Sequence, residues 1–187
     1  MDDKRLLLPA LVVALVLAVG GAVSSLSAAT LRARRSPVRA LARAVHKQHH
    51  VNPRLTRRLR ATTWRWQAVV GRRRSHSSAA LGSPEALRFW RRAERRMLRI
   101  ASHPPHKAAW LCIHRYEGSW SDPGDPYWGG LQMDRGFMLR YAPSPLLRRG
   151  WANRWTPLEQ MWVAERAHRS GRGFYAWPNT ARYCRLI

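Results

Sequence analysis

The sequence predicts an α+β chain that is mainly helical, carrying a small turn-rich hairpin and preceded by a leader segment and a basic helical region. Three observations support this. Apolar residues recur at three- and four-residue spacing over 55–70, 84–100 and 110–117. Helix-start signals stand at Ser83-Pro84 and at Thr156-Pro157-Leu158-Glu159, each a capping hydroxyl followed by a first-turn proline. Residues 118–134 are dense in Gly and Pro, the punctuation of turns and a short hairpin.

At the N-terminus, Lys4 and Arg5 precede an apolar run from Leu6 to Val23, followed by the small-residue stretch SSLSAAT. A basic start, an apolar core and a small-residue exit are the parts of a secretory signal. The run also reaches the ~18 apolar residues that mark a membrane-helix candidate. Residues 1–29 are therefore expected to be a signal peptide or a membrane anchor, with the rest of the chain outside the cytoplasm. Arg32, Arg34 and Arg35 work against that direction, since positive charge beside a span is retained inside.

The charge balance is extreme: 34 Lys plus Arg face 10 Asp plus Glu, a net of +24. Residues 30–109 hold 21 basic residues and only Glu85 and Glu94 as acids, whereas 110–187 hold 11 basic and six acidic. Such a field draws in anionic partners such as nucleic acid, anionic lipid or acidic cell-wall polymer. No groove-reading motif, Gly-rich phosphate loop or zinc-knuckle spacing accompanies it, so specific nucleic-acid recognition is not expected. Nonspecific polyanion binding remains a third functional class.

Residues 30–55 read as a basic tether. Its His46, His49 and His50 lack a neighbouring Cys or carboxylate, so no metal is expected there, and no cofactor elsewhere. The segments 55–70 and 84–100 predict a helical hairpin with its arginines outward, joined by a flexible link, GRRRSHSSAALGS. It is either a binding arm for phosphate-rich polymer or a solvated spacer. The break SHPPH at 102–106 marks the expected boundary between a basic region, 30–101, and a second domain, 102–187.

Cys112 and Cys184 make an even count, which in an exported chain reads as a disulfide closing most of the second domain. The alternative is two separate buried thiols.

Trp110, Ile113 and Glu117 lie at i, i+3 and i+7, on one helical face, and Gly118 ends the helix. Glu117 is then expected at a helix C-terminus against an apolar wall. Desolvation and the negative end of the helix dipole both favour a carboxyl that keeps its proton. That is the requirement for a general acid in glycosidic cleavage. The alternative is an exposed glutamate paired with Arg115. In the loop that follows, Trp120, Tyr127 and Trp128 offer aromatic faces for sugar rings. Gly129 and Gly130 allow close backbone approach, and Gln132 offers a side-chain amide.

Four segments in fixed order carry a family resemblance: WLCIHRYEGSW (110–120), YWGGLQM (127–133), LEQMWVAER (158–166) and GFYAWP (173–178), with a cysteine near the end. Together they resemble the resuscitation-promoting-factor family of small, secreted, lysozyme-like cell-wall enzymes, over about residues 107–185. In one departure, Tyr116 stands directly before the glutamate, where that family commonly has its first cysteine, and Cys112 lies one helical turn earlier.

The resemblance implies a lysozyme-like fold, Glu117 as catalytic acid, and Tyr127 to Gln132 lining a glycan cleft. It further implies peptidoglycan glycan strands as substrate, the MurNAc–GlcNAc β-1,4 bond as the bond cut, and location at the cell wall. Asp122, Asp125 and Asp134 read as turn or surface residues. A single acid therefore points to 1,6-anhydro products over hydrolysis, with a non-catalytic wall-binding module as the rival class. His114 reads as a flank residue, and Glu165 as a partner of Arg169.

Overall fold

The computed structural model describes residues 51–187; the leader, the tether up to residue 50 and its three histidines lie outside them. The described residues cluster as one compact unit. The described part is mainly helical. In order it comprises α1 (Pro53–Val70), α2 (Pro84–Ala101), α3 (Lys107–Glu117), β1 (Tyr127–Trp128), β2 (Met133–Asp134), α4 (Arg135–Tyr141), α5 (Ser144–Leu147), a 3-10 turn (Ala152–Arg154), α6 (Pro157–Ala167), a wide turn (His168–Arg172) and α7 (Pro178–Tyr183). The two strands form one antiparallel ladder, Tyr127 opposite Asp134 and Trp128 opposite Met133. Among the described residues no helix is long and apolar enough to cross a membrane.

Local sequence chemistry sets the helix ends. The Asn52 side chain accepts from the Arg54 N–H, and Gly71, at φ 82°, closes α1 in the left-handed region. Ser83 caps α2 through the Ala86 N–H. Thr156 and Glu159 cap each other's backbone N–H at the start of α6, the reciprocal capping box that the sequence predicts.

α1 and α2 pack together as a helical hairpin, and the hairpin also packs on the rest of the described residues. Trp66, Val69 and Val70 of α1 and Met97 and Ala101 of α2 lie in the same buried cluster as Trp110, Ile113, Leu131 and Trp162. The Trp162 indole donates to the Ala101 carbonyl at 2.8 Å. Arg166 and Arg169 donate to the carbonyls of Ala68 and Val70. The break at 102–106 thus lies inside one compact unit, while Leu59, Ala86 and Trp90 form a second buried cluster within the hairpin. The dense arginines obscure this in the sequence, because the buried stripe beneath them is narrow.

The link after α1 is not free either. The Gln67 side chain accepts from the Ser75 N–H at 3.0 Å and donates to its hydroxyl at 2.7 Å. The Trp64 indole donates to the Ser75 carbonyl at 2.9 Å. Arg60 and Arg74 lie over the Trp64 ring, 4.8 and 5.1 Å from its centre.

Cys112 and Cys184 form the expected disulfide, across a sequence separation of 72 residues. It ties the middle of α3 to the residue that ends α7. Constraint of the unfolded chain by a loop of this length contributes roughly 4 kcal/mol. Reducing the bridge, or replacing both cysteines by serine, is expected to lower the thermal midpoint by about 10 °C. Calorimetry with and without reductant checks this; an unchanged midpoint would show that the clamp contributes nothing.

Candidate functional site

Trp110 and Ile113 are fully buried and fix the inner face of α3 against the core. One turn later the helix reaches its end, and Glu117 emerges at the rim, partly exposed. The apolar wall therefore flanks Glu117 less completely than the sequence suggests. Its Oε1 accepts a hydrogen bond from the Thr180 hydroxyl at 2.7 Å. Thr180 comes from α7, which the disulfide holds against α3. Among the described residues Glu117 forms no ion pair, so the alternative pairing with Arg115 is not adopted.

Gln160, on α6, fixes the loop that follows. Its amide is fully buried. Its Oε1 accepts from the Gly130 N–H at 2.9 Å, and its Nε2 donates to the carbonyls of Trp120, Ala152 and Trp155 at 2.8, 2.9 and 3.2 Å. The two glycines serve this packing, and neither lines the cleft lobes described below. A Cβ on Gly130 would lie 2.6 Å from both His114 Nδ1 and the Trp120 ring. Gly129, at φ +74°, sits against Gln160 and Ala152. His114 stacks on Trp120 with ring centres 3.9 Å apart and bonds the Gly130 carbonyl, the structural role expected of a flank residue.

A cleft opens beside Glu117. Its first lobe, about 300 Å³, is lined by Glu117, Tyr127, Gln132, Trp177 and Asn179. The adjoining lobe, about 480 Å³, shares Tyr127, Gln132, Ala176 and Trp177 and continues to Phe137, Arg140, Tyr141 and Arg172. Tyr127 is half exposed, a free aromatic face. Trp177 is nearly buried and anchored by its indole, which donates to the Leu131 carbonyl at 2.6 Å. A hydrogen bond from Ser170, and after it the charges of Arg140 and Arg172, hold the Tyr141 phenol below its ordinary value against the opposing effect of burial.

Of the expected site residues, Glu117, Tyr127 and Gln132 meet at this cleft. Trp120 and Trp128 line neither lobe: Trp120 packs on His114, and Trp128 on Trp151 at 5.7 Å between ring centres. The sequence reading passed over Trp177, Asn179, Thr180, Arg140 and Arg172 as site residues. The closing Trp-Pro segment of the resemblance was the signal that pointed to Trp177.

The remaining acids have structural partners or stand apart. Asp122 accepts from Gln132 Nε2 at 2.8 Å and from the Gly124 N–H at 3.0 Å. This pair sits against Gly118, where a Cβ would meet both side chains at 3.4 Å. Asp134 caps α4 through the Phe137 N–H at 2.7 Å, and Asp125 is exposed. Glu165 does not pair with the Arg169 side chain. It is fully buried, and accepts from the Trp110 indole at 2.8 Å, from the His106 N–H at 2.7 Å, and from His106 Nδ1. It thereby caps α3, a role invisible from spacing because its partners are 55 and 59 residues away.

Glu159 is fully buried and held by Arg149 at 2.7 and 2.9 Å and by Arg65 at 3.1 Å. Burial pushes its carboxyl up, but Arg149, the Thr156 N–H and the charge of Arg65 outweigh that and hold it below its ordinary 4.5.

Comparison with family models, curated proteins and solved structures finds no match to the chain.

Two outcomes follow from these contacts. Gln160→Ala removes four hydrogen bonds to backbone groups and is expected to cost at least about 3 kcal/mol in urea unfolding. A loss under about 1 kcal/mol would mean that the loop is held by other contacts. Glu159, with its folded-state value depressed, contributes stability that is present above pH 4.5 and lost as pH falls through the lower folded value. Glu159→Gln is expected to flatten the acid limb of stability against pH, and an unchanged slope would remove this pair as its source.

Proposed function

We propose that residues 107–185 form a lysozyme-like, peptidoglycan-cleaving domain of the resuscitation-promoting-factor kind. It acts on the MurNAc–GlcNAc β-1,4 bond with Glu117 as its single general acid. The observation that carries this reading is one carboxyl without an ion pair at the mouth of a two-lobed cleft, held by a hydroxyl and faced by an aromatic ring. A carboxyl so placed protonates the departing glycosidic oxygen as the bond breaks through an oxocarbenium-like state. A sugar seated in the first lobe displaces water from around it, the setting in which a carboxyl delivers a proton well.

The other acids nearby are engaged. Asp122 is bound by Gln132, and Asp134, which lines the second lobe, has one oxygen taken by the cap of α4. This favours closure of the muramic 6-hydroxyl on C1, its proton passing to the Glu117 carboxylate left by the first step, giving a 1,6-anhydro product. Arg140 and Arg172 give the second lobe a cationic end, which complements the carboxylates of muramic acid and its stem peptide. The disulfide fits an oxidising compartment and so supports a secreted or membrane-anchored protein at the cell wall. The basic hairpin suits anionic wall polymers or a membrane surface as further partners.

Digestion of purified sacculi, read by mass spectrometry, tests this. The full chain is expected to release anhydro-ended fragments, one water lighter than reducing-ended ones. Glu117→Gln is expected to lower release at least about a hundredfold with binding to sacculi retained. Thr180→Val should reduce turnover less, and Thr180→Ser should restore it. Retained binding with no fragments from the unmodified chain would instead identify a wall-binding module.

A further inference from the structure

A second concavity, about 450 Å³, lies on the hairpin, between the strap that follows α1 and the exposed side of α2. Arg72 and Arg73 on the strap and Arg92 and Arg96 on α2 line it, over a floor of Phe89, Ala93, Met97 and Ile100. No acid lines it, and none of the four arginines joins an ion pair among the described residues. Of the hairpin's two acids, Glu85 is taken by Arg88 at 2.9 Å, and Glu94 is not among the lining residues.

We propose that this groove binds a linear phosphate polymer, with guanidinium groups from both walls gripping successive phosphates. The strap is fixed before any ligand arrives. Ser75 is bonded on three sides by Gln67 and Trp64, and Arg74 lies over Trp64. The arginine pair beside Ser75 is thus held at a set place, which lowers the ordering cost of binding. Arg92 and Arg96 stand four residues apart on one helical face, where like charges repel. An anion between the walls relieves that repulsion. Guanidinium takes phosphate oxygens two at a time, so arginine suits this ligand better than lysine would. The apolar floor suits the carbon linkers of a phosphodiester chain. Concavity favours a strand over a membrane, because a flat headgroup layer does not reach the floor of a groove.

The inference specifies the partner of the basic region and does not depend on Glu117, so the two readings fail separately. The test is binding of the full chain to inorganic polyphosphate of defined length across a salt titration. Arg92→Gln/Arg96→Gln and Arg72→Gln/Arg73→Gln are compared with Arg57→Gln/Arg58→Gln, which removes the same charge from exposed positions of α1 outside the groove. Each groove double is expected to weaken binding about tenfold or more and to reduce the log–log salt slope by roughly 1.5, while the control double changes affinity less than about threefold. Partition onto phosphatidylglycerol vesicles should fall equally for all three doubles. Equal losses of polyphosphate binding in all three, or a groove-specific loss on vesicles but not on the polymer, would overturn the proposal. So would a wild-type chain that does not bind the polymer.

Discussion

One buried amide holds the cleft side of this molecule together. Gln160 reaches from α6 into a space bounded by the double-glycine loop, the segment carrying Trp120 and the 3-10 turn before α6, and bonds all three. The bond to the Gly130 N–H satisfies a buried backbone donor, and a buried group left unpaired costs far more than an average hydrogen bond contributes. The loop therefore has little freedom to settle elsewhere. Its glycines follow from this: Gly129 and Gly130 leave room for the amide and for the His114–Trp120 stack. With the loop fixed, β1 and β2 pair, and Tyr127 and Gln132 come to the same opening as Glu117.

The same helix organises the rest. Glu159 faces the start of α6 and draws in Arg149 and Arg65, so an arginine of α1 is tied to α6. Glu165 turns the other way and caps α3 through the His106 N–H and the Trp110 indole. Three polar side chains that are fully buried on one helix thus position the loop, the hairpin and the helix that bears Glu117. Such groups are favourable only when fully bonded, and here each one is. The disulfide completes the frame by fixing α7, and with it Thr180, against α3.

Local features were legible in the sequence; features set by distant partners were not. Ser83-Pro84 and the Thr156–Glu159 box specify helix starts through contacts three residues away, and the structure places them as read. The even cysteine pair read correctly for a reason of chemistry rather than geometry. The inward role of Gly129 and Gly130 depends on a glutamine 30 residues on, and a pair of glycines looks the same whether a side chain or a ligand approaches it. The hairpin looked separate because its surface arginines outnumber its buried residues, and composition counts both alike. Trp177 belongs to the core, and the cleft uses only the edge that the core leaves uncovered.

Scarcity of acid sharpens what Glu117 is suited to. Among the described residues two carboxylates pair with guanidinium groups. Glu85 does so at the surface and Glu159 does so in the core. Glu117 does not: its bonded partner is a neutral hydroxyl. An arginine in that place would hold the charged form and withhold the carboxyl from proton transfer. A threonine hydroxyl orients the same oxygen while adding no charge, so the group is aimed without being locked. On the proposed reading this separates the chemistry from the charge. The arginines gather anionic polymer from a distance, while Glu117 at the cleft mouth pairs with none of them.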